Sequence, residues 1–160
     1  MSCPQRSRLI ADIFNKLHHV CFAVEDIDKA QAYYESLGIG PWIAYPPLTE
    51  YSELEVPNLD AFGKMQYRVC NLPGIQLQLC QPDNQKSPQR DFLEERGSGV
   101  FHLGFEVPNA NAAEDEANAK GIPVKMRGRR ANRSGFTYYD TQQNAGVVLL
   151  TRATPPGSKT

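Results

Sequence analysis

The chain has 160 residues, 41% hydrophobic and 22% charged, a content that suits one globular domain with a core of ordinary size. Its formal charge of -1 is balanced, which excludes recruitment of nucleic acid or an anionic membrane by a global field. No apolar run approaches a membrane span and the leading MSCPQRSRLIADIF carries no signal-peptide pattern, so a cytoplasmic protein with reduced, buried cysteines is expected.

In chain order, Ile10, Ile13, Phe14 and Leu17 fall at helical spacing and predict a short leading helix. His19 to Val24 is a short apolar run of strand formers, after which Asp26 offers an N-cap. Ile27, Ala30, Tyr34 and Leu37 then form one apolar stripe, and Gly38 is placed to end the helix. Trp42 to Tyr45 reads as a strand, the proline- and glutamate-rich stretch from Pro46 to Leu59 as a loop, and Lys64 to Asn71 and Ile75 to Gln81 as strands around the turn Leu72-Pro73-Gly74. Ser87 and Pro88 predict the start of a short helix that Gly97 closes. A strand from Phe101 to Val107 follows, then a helix capped by Asn109, striped by Ala110, Ala113 and Ala117 and stopped at Gly121. Strands near Val124, Phe136 to Asp140 and Val147 to Thr151 end the pattern, and Thr154 onward reads as a solvated tail.

The two halves repeat one another. An offset of 83 residues lays His19 on His102, Val24 on Val107, Ala30 on Ala113 and Gly38 on Gly121. A slightly shorter offset lays Gly63 on Gly135, Tyr67 on Tyr139 and Gly74 on Gly146. Such self-similarity implies one supersecondary unit built twice. The unit is βαβββ, and the chain reads as a single domain over residues 1–160: a first module over 17–82, a linker helix within 83–99, a second module over 100–152 and a tail over 153–160. The expected fold class is α+β, with paired βαβββ modules forming a curved, cleft-enclosing mixed sheet.

Each copy opens its first strand with a histidine, and each last strand has an equivalent position after its glycine, Gln78 in one copy and Leu150 in the other. Symmetry makes a ring of His19, Gln78, His102 and Leu150. Two imidazoles and an amide oxygen can hold a divalent ion, with open positions for water or substrate oxygens.

The stretches HHVCFAVEDIDKAQAYYESLGIG, GIQLQLCQP, FLEERGSGVFHLGFEV and YYDTQQNAGVVLL resemble the vicinal oxygen chelate (glyoxalase/bleomycin resistance/dioxygenase) superfamily over about Leu17 to Thr151. The pattern is most similar to methylmalonyl-CoA epimerase-like members. The resemblance implies His19, His102 and Gln78 as metal ligands and a homodimeric, glyoxalase-like protein. The family's usual glutamate on the second last strand corresponds here to Leu150. A neutral donor set leaves a dication its full charge, so zinc, cobalt, manganese, nickel or iron is expected to bind weakly, only with an anionic substrate, or not at all.

With that glutamate absent, Glu50, Glu53 and Glu55 in the long loop are the first candidates for the general base, and Tyr139 and Asp140 the second. The basic run that includes Arg127 and Arg130 offers a clamp for a carboxylate or phosphate, and Trp42 and Leu150 a cleft wall. By strand alternation, His18 is expected on the face opposite His19. The expected function is a metal-dependent isomerase, epimerase or lyase that acts on a small carboxylate or acyl thioester through an enolate-like intermediate. The alternative is a metal-free protein that sequesters or senses a small molecule in the same cleft.

Overall fold

The computed structural model describes residues 13–45 and 50–155. The first module contains β1 (Leu17–Ala23), α1 (Ile27–Ser36), β2 (Ile43–Ala44), β3 (Glu53–Glu55), α2 (Leu59–Gly63), β4 (Gln66–Leu72) and β5 (Ile75–Gln81). The helix α3 (Pro88–Arg96) leads into the second, which contains β6 (Gly99–Glu106), α4 (Ala110–Ala119), β7 (Val124–Arg129), β8 (Gly135–Tyr139), α5 (Gln142–Ala145) and β9 (Val148–Ala153). Part of the expected leading helix and the end of the tail lie outside the described residues. Ile13 and Phe14, which are described, form a turn into β1 and pack beneath α4.

Local chemistry builds both modules alike. The Asp26 carboxylate accepts from the Lys29 backbone N–H at 3.1 Å, and the Asn109 side chain accepts from that of Ala112 at 2.9 Å. Each helix closes with the same backbone bond, Ile39 to Tyr34 in α1 and Ile122 to Ala117 in α4, both of the Schellman type. The alanine stripe of α4 is buried against β8 and β9, whereas α1 buries Ile27 fully and only partly buries Ala30 and Tyr34. Ser87 caps α3 through the Arg90 N–H, with Pro88 in its first turn.

All strands join one nine-stranded sheet in the order β2-β4-β5-β1-β6-β9-β8-β7-β3. The parallel pairs β1 with β5 and β6 with β9 are equivalent, and the antiparallel pair β1 with β6 forms the seam between modules. Within the loop expected over Pro46 to Leu59 the structure instead forms β3, which pairs with β7 of the other module, and the start of α2. Strands β2 and β3 are thus the two ends of the sheet, although only residues 45–52 separate them. Laid flat, nine strands spaced by about 4.8 Å span about 38 Å. A fully extended connection from Ala44 to Glu53 reaches about 32 Å at most. The sheet must curl, so that its two ends approach one another.

Three apolar clusters fill the fold. One lies under α1 around Ile27, Trp42 and Leu79, and one under α4 around Ala113 and Tyr139. The third occupies the inside of the curl, where Cys21, Cys80, Phe101, Met126 and Leu150 pack together. Cys21, Cys70 and Cys80 are buried free thiols, as their strand positions suggested.

Candidate active site

The inside of the curl keeps an open cleft, and His19, Gln78, His102 and Leu150 all line it. Strand register brings them together. In β1 and β5 Cys21 lies opposite Gln78, and in β6 and β9 Gly104 lies opposite Leu150, so each module presents its last-strand residue two positions beyond its histidine.

A β-bulge precedes each histidine. Between Leu17 and His19 the seam carries one extra residue, His18, and between His102 and Val100 it carries Phe101. These are the same position in the repeat. Bulges re-aim neighbouring side chains and suspend alternation. His18 accordingly does not turn away from its neighbour: its Nδ1 lies 2.8 Å from His19 Nδ1.

The His19 ring lies across the backbone of β6 at Gly104. A Cβ on Gly104 would stand 1.9 Å from His19 Cε1, so this glycine makes the room. With the ring there, His19 Nε2 lies 3.0 Å from His102 Nε2. Burial pushes the His102 pKa down to about 3 and, together with the nearby His102, holds His19 well below its ordinary value. Two neutral imidazoles at this distance share one proton, so one ring donates and the other accepts. His102 Nδ1 is buried without a partner.

A charged pair supports the imidazoles from behind. The Arg152 guanidinium donates to His18 Nε2 at 2.7 Å and approaches His18 Nδ1 at 3.0 Å. Its other edge lies 3.4 Å from Glu106 Oε2. Burial and Arg152 lower the His18 pKa to about 4.

Arg130 also lines the cleft. Its guanidinium sits 4.4 Å from the centre of the Tyr51 ring and donates to the Tyr51 hydroxyl at 3.2 Å, and among the described residues it has no carboxylate partner. No carboxylate of the described residues lines the cleft at all.

These surroundings test the expected metal. Two nitrogens about 2.1 Å from a zinc-like ion lie about 3.0 to 3.4 Å apart, a span that a shared proton also gives. The rest of the donor set decides. Gln78 donates its amide nitrogen to Gln76 Oε1 at 2.7 Å, leaving one neutral oxygen, and Leu150 places hydrocarbon at the fourth position. Among the described residues no three His, Cys, Asp or Glu side chains converge. A dication here would keep its full charge beside two guanidiniums. The residues present do not fit a resident divalent ion; they fit a proton held between two imidazoles.

Other expected site residues lie elsewhere. Trp42 is buried under α1 and donates to the Ile39 carbonyl at 3.0 Å. Arg127 binds Glu114 at 2.9 Å and Glu53 at 3.3 Å on the outer side of β7, away from the cleft. Glu50 is exposed and outside the lining, as are Glu55 and Asp140. Tyr139 is fully buried under α4, its hydroxyl 3.0 Å from Thr151 Oγ1, and it is Tyr138 that faces the cleft. Tyr67 pairs with Tyr138 through hydroxyls 3.4 Å apart, and burial raises both phenol pKa values, so both stay protonated. Sequence reasoning passed over the cleft's aromatic side chains and Arg152, although Arg152 follows Leu150 by two residues and so shares its face.

Residues 18–139 match the family described as the Glyoxalase/Bleomycin resistance protein/Dioxygenase superfamily. The chain is 30% identical over 111 residues to the mitochondrial methylmalonyl-CoA epimerase of Bos taurus, covering 68% of this chain and 56% of that protein. It therefore spans little more than half the length of this relative. To the ethylmalonyl-CoA/methylmalonyl-CoA epimerase of Cereibacter sphaeroides it is 26% identical over 113 residues, 70% of this chain and 75% of that one. Its fold is similar to the crystal structure of methylmalonyl-CoA epimerase from Mycobacterium tuberculosis, with a TM-score of 0.65 at 24% identity over 92% of this chain and 93% of that one. A methylmalonyl-CoA epimerase in complex with methylmalonyl-CoA and NH4+ gives a TM-score of 0.66 at 20% identity over 91% and 98%.

Proposed function

This chain belongs to the glyoxalase/bleomycin resistance/dioxygenase superfamily, and from that premise we propose that it is an isomerase of the epimerase type, acting on an anionic acyl compound. The observation that carries this reading is the pair of repeat-related histidines sharing one proton in a cleft whose one unpaired cation among the described residues is Arg130. Such a pair contains an acid and a base by construction.

A carbonyl oxygen entering between the rings accepts the N–H of one imidazole. The other, held neutral by burial, takes the proton from the adjacent carbon, and the C–H electrons become the enolate double bond. The imidazolium so formed gives the proton back to that carbon, and the configuration inverts when the planar enolate has turned its other face to it. Arg130 binds the substrate's carboxylate, whose negative charge raises the proton affinity of the accepting ring. Gln78 holds a substrate oxygen or amide from the side. No step requires a metal or any of the loop glutamates.

The relatives named above are epimerases of acyl-CoA compounds, which favours an acyl thioester substrate and isomerase over lyase chemistry. Solvent deuterium incorporation at the acidic carbon of methylmalonyl-CoA tests the proposal. Exchange is expected with the wild-type chain and is expected to fall by about a hundredfold or more in His19→Ala and His102→Ala. Unchanged exchange in both variants would refute the assignment. Leu150 favours a second reading, sequestration of the same anions without turnover, and binding with no exchange in the wild-type chain would establish it.

A further inference from the structure

The wall of the cleft opposite the imidazoles is aromatic. Tyr51, Phe62 and Phe136 form one packed group with ring centres 5.3 to 6.1 Å apart. Tyr138 continues it, 5.4 Å from Phe136 and 5.0 Å from His102, while Tyr45 and Tyr67 form a pair 6.2 Å apart. These rings arrive from separate parts of the chain: Tyr45 from just after β2, Tyr51 from just before β3, Phe62 from α2, Tyr67 from β4, and Phe136 and Tyr138 from β8. All of them line the cleft rather than closing it.

Leu150 extends that apolar wall onto the floor, between Gly104 in one neighbouring strand and Tyr138 in the other. The charged group stands within the aromatic surface, because Arg130 lies over Tyr51. An anionic group held by Arg130 thus has aromatic faces beside it and the imidazole pair beyond. A methyl-sized substituent would leave these faces wet. A planar ring would cover them in offset or edge-to-face contact, the geometry aromatic pairs prefer.

We infer that the substrate carries an aromatic ring on its reacting carbon, between a carboxylate bound by Arg130 and a carbonyl that enters the His19 and His102 pair. This rests on the isomerase reading for the carbonyl's place and goes beyond it in naming the substituent. The chemistry gains from the ring as well. When the imidazole removes the proton from that carbon, the new carbon–carbon double bond conjugates with the ring, and the carbonyl oxygen takes the proton donated by the second imidazole. One C–H and one N–H bond break, one N–H and one O–H bond form, and nothing is oxidised or reduced.

The test compares phenylmalonate with methylmalonate, which differ only in that substituent, by calorimetric titration of the full chain. Phenylmalonate is expected to bind about tenfold to a hundredfold more tightly, the gain from burying a ring in place of a methyl group. Phe136→Leu is expected to shrink that ratio several-fold, and Arg130→Gln to weaken both ligands together. Equal affinities in the wild-type chain would overturn the inference, and that comparison depends on no variant's folding. Deuterium exchange on methylmalonyl-CoA separates the two claims. Exchange without a preference for phenylmalonate removes the substituent and keeps the isomerase, whereas a preference for phenylmalonate without exchange on either compound removes the isomerase and keeps the aromatic ligand.

Discussion

The two modules share a backbone plan down to the bulge before each histidine, yet they treat the cleft differently. In the first, β5 supplies the polar Gln78 and the histidine ring lies over a glycine of the neighbouring strand. In the second, β9 supplies Leu150 and the histidine faces Cys21, whose thiol is turned to Cys80. Duplication fixes where a side chain points. It leaves open what that side chain is, and here the divergence sets an amide in one module and hydrocarbon in the other beside two neutral imidazoles.

Acid offers the strongest way to disturb that shared arrangement. His102 has a folded pKa of about 3 against an ordinary 6.5, so between these values the unfolded chain binds more protons. Stability is therefore full above pH 6.5 and declines as pH falls toward 3, by on the order of 4 kcal/mol from His102 alone. Denaturant titrations at pH 7 and pH 4 should show the loss, and His102→Phe should flatten it. A pH-independent midpoint would contradict the burial of a neutral imidazole there.

Exchanging features between the modules comes next. Gly104→Ala is expected to cost about 3 kcal/mol, because the new methyl meets a buried ring with no open side. The equivalent Cys21→Ala should cost about 1 kcal/mol, so urea midpoints of the two variants must differ if the glycine makes room for His19. Leu150→Glu restores a carboxylate to the fourth position. Without metal it should lose about 2 kcal/mol for an unpaired buried charge, and cobalt or manganese should then raise its melting temperature but not that of the wild-type chain. A rise in the unsubstituted chain would show that the imidazole pair accepts an ion after all. The mildest comparison is between the matched caps, where Asp26→Ala and Asn109→Ala should each remove about 1 kcal/mol and so confirm that the helices are anchored alike.

Much of this arrangement was legible in the residues. The repeat placed His19, Gln78, His102 and Leu150 in one ring because register follows from backbone pairing, which both copies share. The bounds of α3 followed from Ser87, Pro88 and Gly97, and those of β5 from the turn at Gly74. Strand β3 was not legible, since Glu53-Leu54-Glu55 has no strand preference of its own. It is extended because Glu53 and Glu55 fall opposite Arg129 and Arg127 of β7, a match made only after the sheet has curled. At His18 a bulge suspends the expected alternation, and it is Tyr138 that lines the cleft, where the repeat had pointed to Tyr139. The choice of Glu50, Glu53 and Tyr139 as proton carriers presumed that a lost carboxylate is replaced by another ionisable group nearby. In the proposed mechanism the imidazole pair needs no such replacement.

The crossing of β3 to β7 also orders events during synthesis. Strand β3 leaves the ribosome well before its partner strand, so the completed first module holds Tyr51 and β3 with nothing to pair against. Only after β7 has emerged can β3 dock, and docking shields the otherwise free rim of the second module. A nascent chain stopped within α4 therefore possesses both histidines but lacks Arg130, Phe136, Tyr138 and Leu150 of the cleft, and protease sensitivity at Tyr51 would report the moment at which the two halves become one molecule.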